Sequence, residues 1–152
     1  HGMAHRLQSV AHHGALNFVN DSKATNAEAT RHALAAFDNI YWIAGGVAKA
    51  GGIASLKPQF ANVRAAFLIG EAADGFAQTL AGEMPVVIAH TMDKALAQAA
   101  NQAKADALAH ATILLSPACA SFDQFEDFEA RGVAFQAAVT TWVAAQEAGG
   151  AA

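Results

Sequence analysis

Cysteine is all but missing: Cys119 is the only one in 152 residues. No disulfide can form within the chain, and the composition suits a reducing compartment, the cytoplasm. Positive charge is also scarce. Nine Lys+Arg against 13 Asp+Glu leave a formal net charge of −4, which argues against nucleic acid, whose binders carry clustered basic patches. No apolar stretch approaches the length of a membrane span, and no signal-peptide pattern opens the chain, although His1 has the look of an expression remnant. Seven histidines are present. His12 and His13 adjoin at an expected turn, and the rest lack ligand-like spacing, so no metal site is expected within this chain.

What is abundant is alanine, which inflates the 54% hydrophobic content and suits helices packed closely on a sheet. The length is enough for one domain with a real core and short of two. Short β-like runs recur with helical stretches between them, which indicates an α/β domain. Strands are expected at Arg6–Ala11, Leu16–Asn20, Ile40–Ala44, Ala65–Ile69, Val86–Ala89 and Thr112–Leu115, the first two forming an opening hairpin across His12–Ala15. Helices are expected at Asn26–Phe37, Ala72–Leu80, Met92–Leu108, Ser121–Phe125 and Glu129–Gln146, with the terminal AGGAA frayed. Thr30, Ala33, Leu34 and Phe37 share one helical face, as do Leu96, Ala99, Ala103 and Ala107.

Alternation of strand and helix implies a mostly parallel sheet with helices on both faces. In such sheets ligands bind beyond the carboxyl ends of the strands. Three of the loops at that edge are rich in Gly, Ser, Thr or Lys: DSKAT after Leu16–Asn20, GGVAKAGG after Ile40–Ala44, and SPACAS after Thr112–Leu115. Together they would surround an anion.

Each motif also has a plainer reading. Thr25 and Glu28 have capping-box spacing, as do Ser121 and Gln124, so both hydroxyls can serve as helix caps. GGVAKAGG is not a Walker A loop, because Lys49 is followed by alanine and no hydroxyl is offered to a magnesium ion. It reads either as a flexible turn with a solvated lysine or as backbone slack that lets Lys49 reach a carboxylate or phosphate. Phe122, Phe125 and Phe128 read as core packing, and Cys119 as a small buried residue rather than a nucleophile.

Taken together, His5-Arg6, NDSKATN (Asn20–Asn26), GG-x-x-K (Gly45–Lys49) and LLSPACASFDQFEDFEARG (Leu114–Gly132) occur in the order and spacing of the Mur ligases. The chain resembles the members of that family that add D-glutamate, and the resemblance covers essentially its whole length. It implies a Rossmann-like third domain, residues 1–152, of a monomeric cytoplasmic ligase of peptidoglycan biosynthesis. An N-terminal UDP-binding domain and a central ATPase domain would lie outside this chain. ATP and Mg2+ would phosphorylate the carboxylate of UDP-N-acetylmuramoyl-L-alanine, and the amine of D-glutamate would attack the acyl phosphate. The metal ligands and Walker loop are expected in the missing domains, so residues 1–152 alone should be inactive and no residue of this chain is singled out as catalytic.

The resemblance also implies roles. Lys49 and Thr25 match positions that hold the α-carboxylate of D-glutamate, and Ser121 with the Phe128 N–H those that hold its side-chain carboxylate. Phe122 stands where the family's pocket has an apolar residue, commonly leucine. Arg6 matches a residue reaching the ATP phosphates and Asp21 one bonding the ribose; His5 and Lys23 lie in the same motifs. Two alternatives share the architecture: a nonenzymatic binding module for an acidic metabolite, and a ligase domain of the folylpolyglutamate type.

Overall fold

A computed structural model describes residues 4–150; His1 and the last two alanines lie outside the described residues. The chain runs β1 (Gln8–His13), β2 (Leu16–Asn20), α1 (Ala27–Ala36), β3 (Ile40–Gly45), β4 (Val47–Ala48), a 3₁₀ segment (Ala54–Asn62), β5 (Val63–Ile69), α2 (Ala73–Leu80), β6 (Val86–His90), α3 (Met92–Asp106), β7 (Ala111–Leu115), β8 (Cys119–Ala120) and α4 (Phe128–Gly150). Six strands form one sheet in the order β1-β2-β7-β3-β5-β6. β1 pairs antiparallel with β2, and every other pairing in that sheet is parallel. β4 and β8 form a separate two-stranded antiparallel ribbon.

The pleat sorts residues onto two cores, because successive strand side chains point to opposite faces. Tyr41 and Ile43 join Phe18, Phe67, Leu96, Phe135 and Trp142 under α3 and α4. Ile40, Trp42 and Ala44 join Leu34, Leu56, Phe60, Phe76 and Leu80 under α1, the 3₁₀ segment and α2. Helices therefore cover both faces, which buries the central strand β3 from end to end. Among residues expected to share buried faces, Thr30, Ala33, Leu34, Leu96, Ala99 and Ala103 are buried, and Phe37 packs at the rim of the second core.

Several boundaries differ from the sequence expectation, for identifiable reasons. The first strand begins at Gln8 rather than Arg6, because His5 and Leu7 adopt left-handed φ of 64° and 46° and break the extended run. It continues through His13, so the hairpin turn is Gly14-Ala15 alone, with Gly14 at φ 58°. α1 is capped by Asn26, whose side chain accepts from the Ala29 N–H at 2.9 Å; Thr25 is not its cap. Ala107 leaves its expected stripe: it is the exposed left-handed C-cap of α3, at φ 53°. No helix forms over Ser121–Phe125, and α4 runs on through Gly150, so Ala148–Gly150 of the expected frayed tail are helical. The 3₁₀ segment and the β4–β8 ribbon have no counterpart in the sequence reading.

Candidate functional site

Parallel strands end at one edge of the sheet, and the order β2-β7-β3 makes their following loops neighbours. Backbone bonds tie those loops together. The Asp21 N–H donates to Leu115 O (2.8 Å), Ser116 N–H to Ile43 O (3.2 Å), Gly45 N–H to Pro117 O (3.1 Å) and Ala118 N–H to Ala24 O (3.0 Å). The ribbon then pairs Val47 with Ala120 and Ala48 with Cys119. Thr25, Lys49 and Ser121 each directly follow a residue held in this knot. Thr25 is half-buried, Lys49 is exposed and Ser121 is buried.

The glycine pair of GG-x-x-K serves close backbone approach. Gly45 and Gly46 have φ of 131° and 132°. A Cβ on Gly45 would lie 2.0 Å from Ile69 O, and one on Gly46 would lie 2.3 Å from Ala120 O. These residues let the third loop and the end of β5 press against the start of the Lys49 loop.

The segment between β8 and α4 is a turn: Ser121 O accepts from the Gln124 and Phe125 N–H groups at 3.2 and 2.9 Å. Its side chains are recruited elsewhere, which is why a helix does not propagate. Asp123 accepts from the Glu71 N–H at 2.9 Å, and Gln124 donates to His90 O at 2.7 Å. Ser121 is consequently not a helix cap. The cap of α4 is Asp127, whose carboxylate accepts from the Ala130 N–H at 2.7 Å. Phe128 is the first residue of that helix, and its own N–H has no protein acceptor among the described residues, as a first-turn donor is expected to lack one. Phe125 packs against the first core, but Phe122 is 73% exposed, contrary to its core reading. Phe128 is half-buried, edge-on to the His5 ring at 6.3 Å, with Lys23 Nζ 5.1 Å from its ring centroid.

Arg131 was missed as a site residue. It is 1% exposed and donates through Nε to Ser22 Oγ (2.9 Å), through Nη1 to Cys119 O (2.9 Å) and through Nη2 to Ser22 O (2.7 Å). Burial pulls its pKa down to about 10. A signal for it existed in the sequence. A basic residue in the first turns of a helix opposes the macrodipole and needs a reason to be there.

A second cluster lies beside the first. Arg6, Leu7, Asp21, Lys23, Ala24, Ala29 and His32 line a cavity of about 200 Å³, so the residues expected at the nucleotide do come together. Asp21 is 4% exposed, accepting from the Leu7 N–H (3.1 Å) and from Ser116 Oγ (2.8 Å). Burial raises its pKa from 3.8 to about 6, against the pull of those two bonds and of Arg6 and His32. Lys23 and the exposed Arg6 line the same cavity as this carboxylate, a combination that suits a ligand with both anionic and hydroxyl groups. That donor set fits a nucleotide's phosphates and sugar. Among the described residues no group of three or more His, Cys, Asp or Glu is placed to hold a metal ion.

His5 is not among the residues lining this cavity but is bonded to one that is. Its carbonyl accepts from the Lys23 N–H at 2.9 Å, and its Nδ1 lies 2.9 Å from Asn20 Nδ2. Cys119 is fully buried, and burial pushes its thiol up to about 12, so it is an inert packing residue. A larger cavity, about 940 Å³ between α3 and α4, is lined mainly by apolar groups including Met92, Leu96, Phe125 and Trp142. None of the expected binding residues lines it, and its lining offers little to an anion. Among the described residues no helix is long and apolar enough to cross a membrane.

Residues 5–119 match the family described as "Mur ligase, glutamate ligase domain". The UDP-N-acetylmuramoylalanine--D-glutamate ligase of Caulobacter vibrioides (strain NA1000 / CB15N) is 57% identical over 141 residues, covering 91% of this chain and 29% of the relative. Proteins of the same name from Agrobacterium fabrum and Brucella abortus (strain 2308) are 56% and 58% identical, over 91% of this chain and 29% and 30% of their own lengths. The chain thus spans less than a third of the curated relatives it matches.

Proposed function

This chain belongs to the Mur ligase glutamate ligase domain family, and we propose that it is the third, amino-acid-delivering domain of an ATP-dependent ligase joining D-glutamate to UDP-N-acetylmuramoyl-L-alanine in cytoplasmic peptidoglycan biosynthesis. One observation carries this reading. The knot of loops after β2, β3 and β7 gathers Thr25, Lys49 and Ser121 around one edge of the sheet, and Phe128, whose N–H has no acceptor among the described residues, is joined to the first of those loops by the bond from Ser22 Oγ to its carbonyl. A dianionic amino acid needs two separate donor groups, and charge-assisted hydrogen bonds are the strong kind.

In this reading Lys49 and Thr25 hold the α-carboxylate of D-glutamate, while Ser121 and the Phe128 N–H hold its side-chain carboxylate. A helix start aims unsatisfied N–H groups and a positive dipole end at such an anion. The exposed Phe122 forms an apolar wall. Its bulk, where the family commonly has leucine, shapes the pocket. Arg6 and Lys23 face the nucleotide phosphates and Asp21 the ribose, with His5 holding the Lys23 backbone in place. ATP, when bound, supplies the phosphoryl group that activates the acceptor's carboxylate. The work of this chain is to present the D-glutamate amine to that activated carboxyl and to close over it, excluding water.

Residues 1–152 form a single domain of a monomeric enzyme, and the UDP-binding and central ATPase domains carry the Walker loop and metal ligands. The chain alone would not turn over. The names of the relatives favour D-glutamate over the folate-linked glutamate of the folylpolyglutamate type.

The test is Lys49→Ala in the complete enzyme. Hydrogen bonds to charged groups contribute about 1.5–3 kcal/mol, so the kcat/KM for D-glutamate should fall roughly tenfold to a hundredfold, with the KM for ATP little changed. Steady-state kinetics with each substrate varied in turn measures this. An unaltered D-glutamate dependence would overturn the assignment.

A further inference from the structure

Every donor proposed for D-glutamate sits on a loop or helix end that one buried side chain holds. Arg131 reaches the first loop through Ser22 O and Ser22 Oγ, and the third loop through Cys119 O. Cys119 is paired with Ala48, so the same bond reaches the Lys49 loop. Ser22 Oγ, in turn, donates to Phe128 O at 2.7 Å, so the start of α4 is tied to the first loop through the atom that Arg131 holds. Thr25, Lys49, Ser121 and the Phe128 N–H belong to segments that this guanidinium joins.

The arrangement is costly. Among the described residues Arg131 forms no ion pair with a carboxylate. A buried charge without a counter-charge is unfavourable, and an apolar side chain of similar volume would often be tolerated better. What only arginine supplies is a rigid planar fork with donors pointing in several fixed directions. The nucleotide-side residues have anchors of their own: Lys23, although it follows Ser22, also donates its N–H to His5 O at 2.9 Å. Asp21 is fixed by Leu115 O, Ser116 Oγ and the Leu7 N–H, none of which touches Arg131. Arg6 precedes Leu7 on the segment so bonded.

We propose that Arg131 is a positioning residue for the amino-acid site: its guanidinium sets the mutual spacing of the α-carboxylate and side-chain-carboxylate donors without touching the ligand. This rests on the reading of the site as the D-glutamate site. A lysine at position 131 keeps the charge but cannot satisfy three acceptors in a fork, so the donors lose their spacing while the nucleotide side stays in place. Ser22→Ala removes the Oγ that accepts from Arg131 Nε and donates to Phe128 O but leaves the guanidinium its bonds to Ser22 O and Cys119 O, and is the milder perturbation.

The experiment uses the complete ligase, with initial rates measured for wild type, Arg131→Lys, Ser22→Ala and the double variant, varying D-glutamate and ATP separately. Expected are a rise of at least tenfold in the KM for D-glutamate in Arg131→Lys with the KM for ATP within twofold, and about threefold in Ser22→Ala. The double variant should be no worse than Arg131→Lys, because the two residues act through one connection. A residue that merely supports the fold would instead lower the melting temperature and kcat with both KM values unchanged, or raise both together; either pattern overturns the proposal. Should Arg131→Lys fail to fold, Ser22→Ala decides, and an unchanged KM for D-glutamate overturns it. Absence of D-glutamate ligation by wild type overturns the functional reading itself, and with it the proposal. A wild type that turns over normally while the variants show no D-glutamate shift overturns the proposal alone.

Discussion

Asp21→Asn is expected to make this chain more stable at neutral pH and to flatten its stability between about pH 4 and about pH 7. Asp21 is 4% exposed, and burial raises its pKa from 3.8 to about 6 in spite of the bonds from Ser116 and Leu7. The native state therefore binds this proton more tightly than the unfolded chain does. The resulting stabilisation is fully present below about pH 3.8 and is lost as pH rises through about 6. Roughly two pKa units at about 1.4 kcal/mol each give about 3 kcal/mol at the upper end of the window. An amide escapes this loss. Its oxygen can keep the Leu7 N–H and its NH₂ can donate to Ser116 Oγ, which retains Thr30 Oγ1 at 3.0 Å as a partner. Urea unfolding of parent and variant at several pH values measures the effect. Their difference in unfolding free energy should widen in the variant's favour by about 2–3 kcal/mol from about pH 4 to about pH 7. Parallel curves, or a variant that loses ground as pH rises, would show that the carboxylate is stabilised in its pocket and refute the reasoning.

Gly45→Ala should destabilise by more than about 3 kcal/mol, because strain at its φ of 131° adds to a Cβ placed 2.0 Å from Ile69 O, which belongs to backbone and cannot swing away. For a domain of this size a melt lower by roughly 10 °C is expected, and one within about 2 °C of the parent refutes it. Gly75→Ala, in α2 with nothing within 4 Å of the added Cβ, is the control and should raise stability by up to about 1 kcal/mol. Cys119, with its thiol at about 12 and no exposure, should react with a thiol reagent at least about a hundredfold more slowly in the native chain than in urea. Comparable rates would show that the third loop opens readily.

Periodicity alone marked the positions of the six main strands and four of the helices, because the pleat and the 3.6-residue turn repeat locally and the two cores select for both. Composition of the strand-following loops marked where an anion could bind. Neither the order β2-β7-β3, which makes those loops neighbours, nor the β4–β8 ribbon that ties the Lys49 loop to Cys119 could be read from local pattern. Both are pairings between segments far apart in the chain. The same reason explains the capping errors. Thr25-x-x-Glu28 and Ser121-x-x-Gln124 satisfy a local rule, yet Asn26 caps α1, and Asp123 and Gln124 are drawn off to Glu71 and His90. Arg131 lies at the far end of that scale. As a letter in FEARG it is one more charge in a helix, and only the folded chain gives its guanidinium Ser22 and Cys119 to hold. Local stereochemistry is written residue by residue, whereas the geometry of this site depends on long-range hydrogen bonds that exist only once the sheet has assembled.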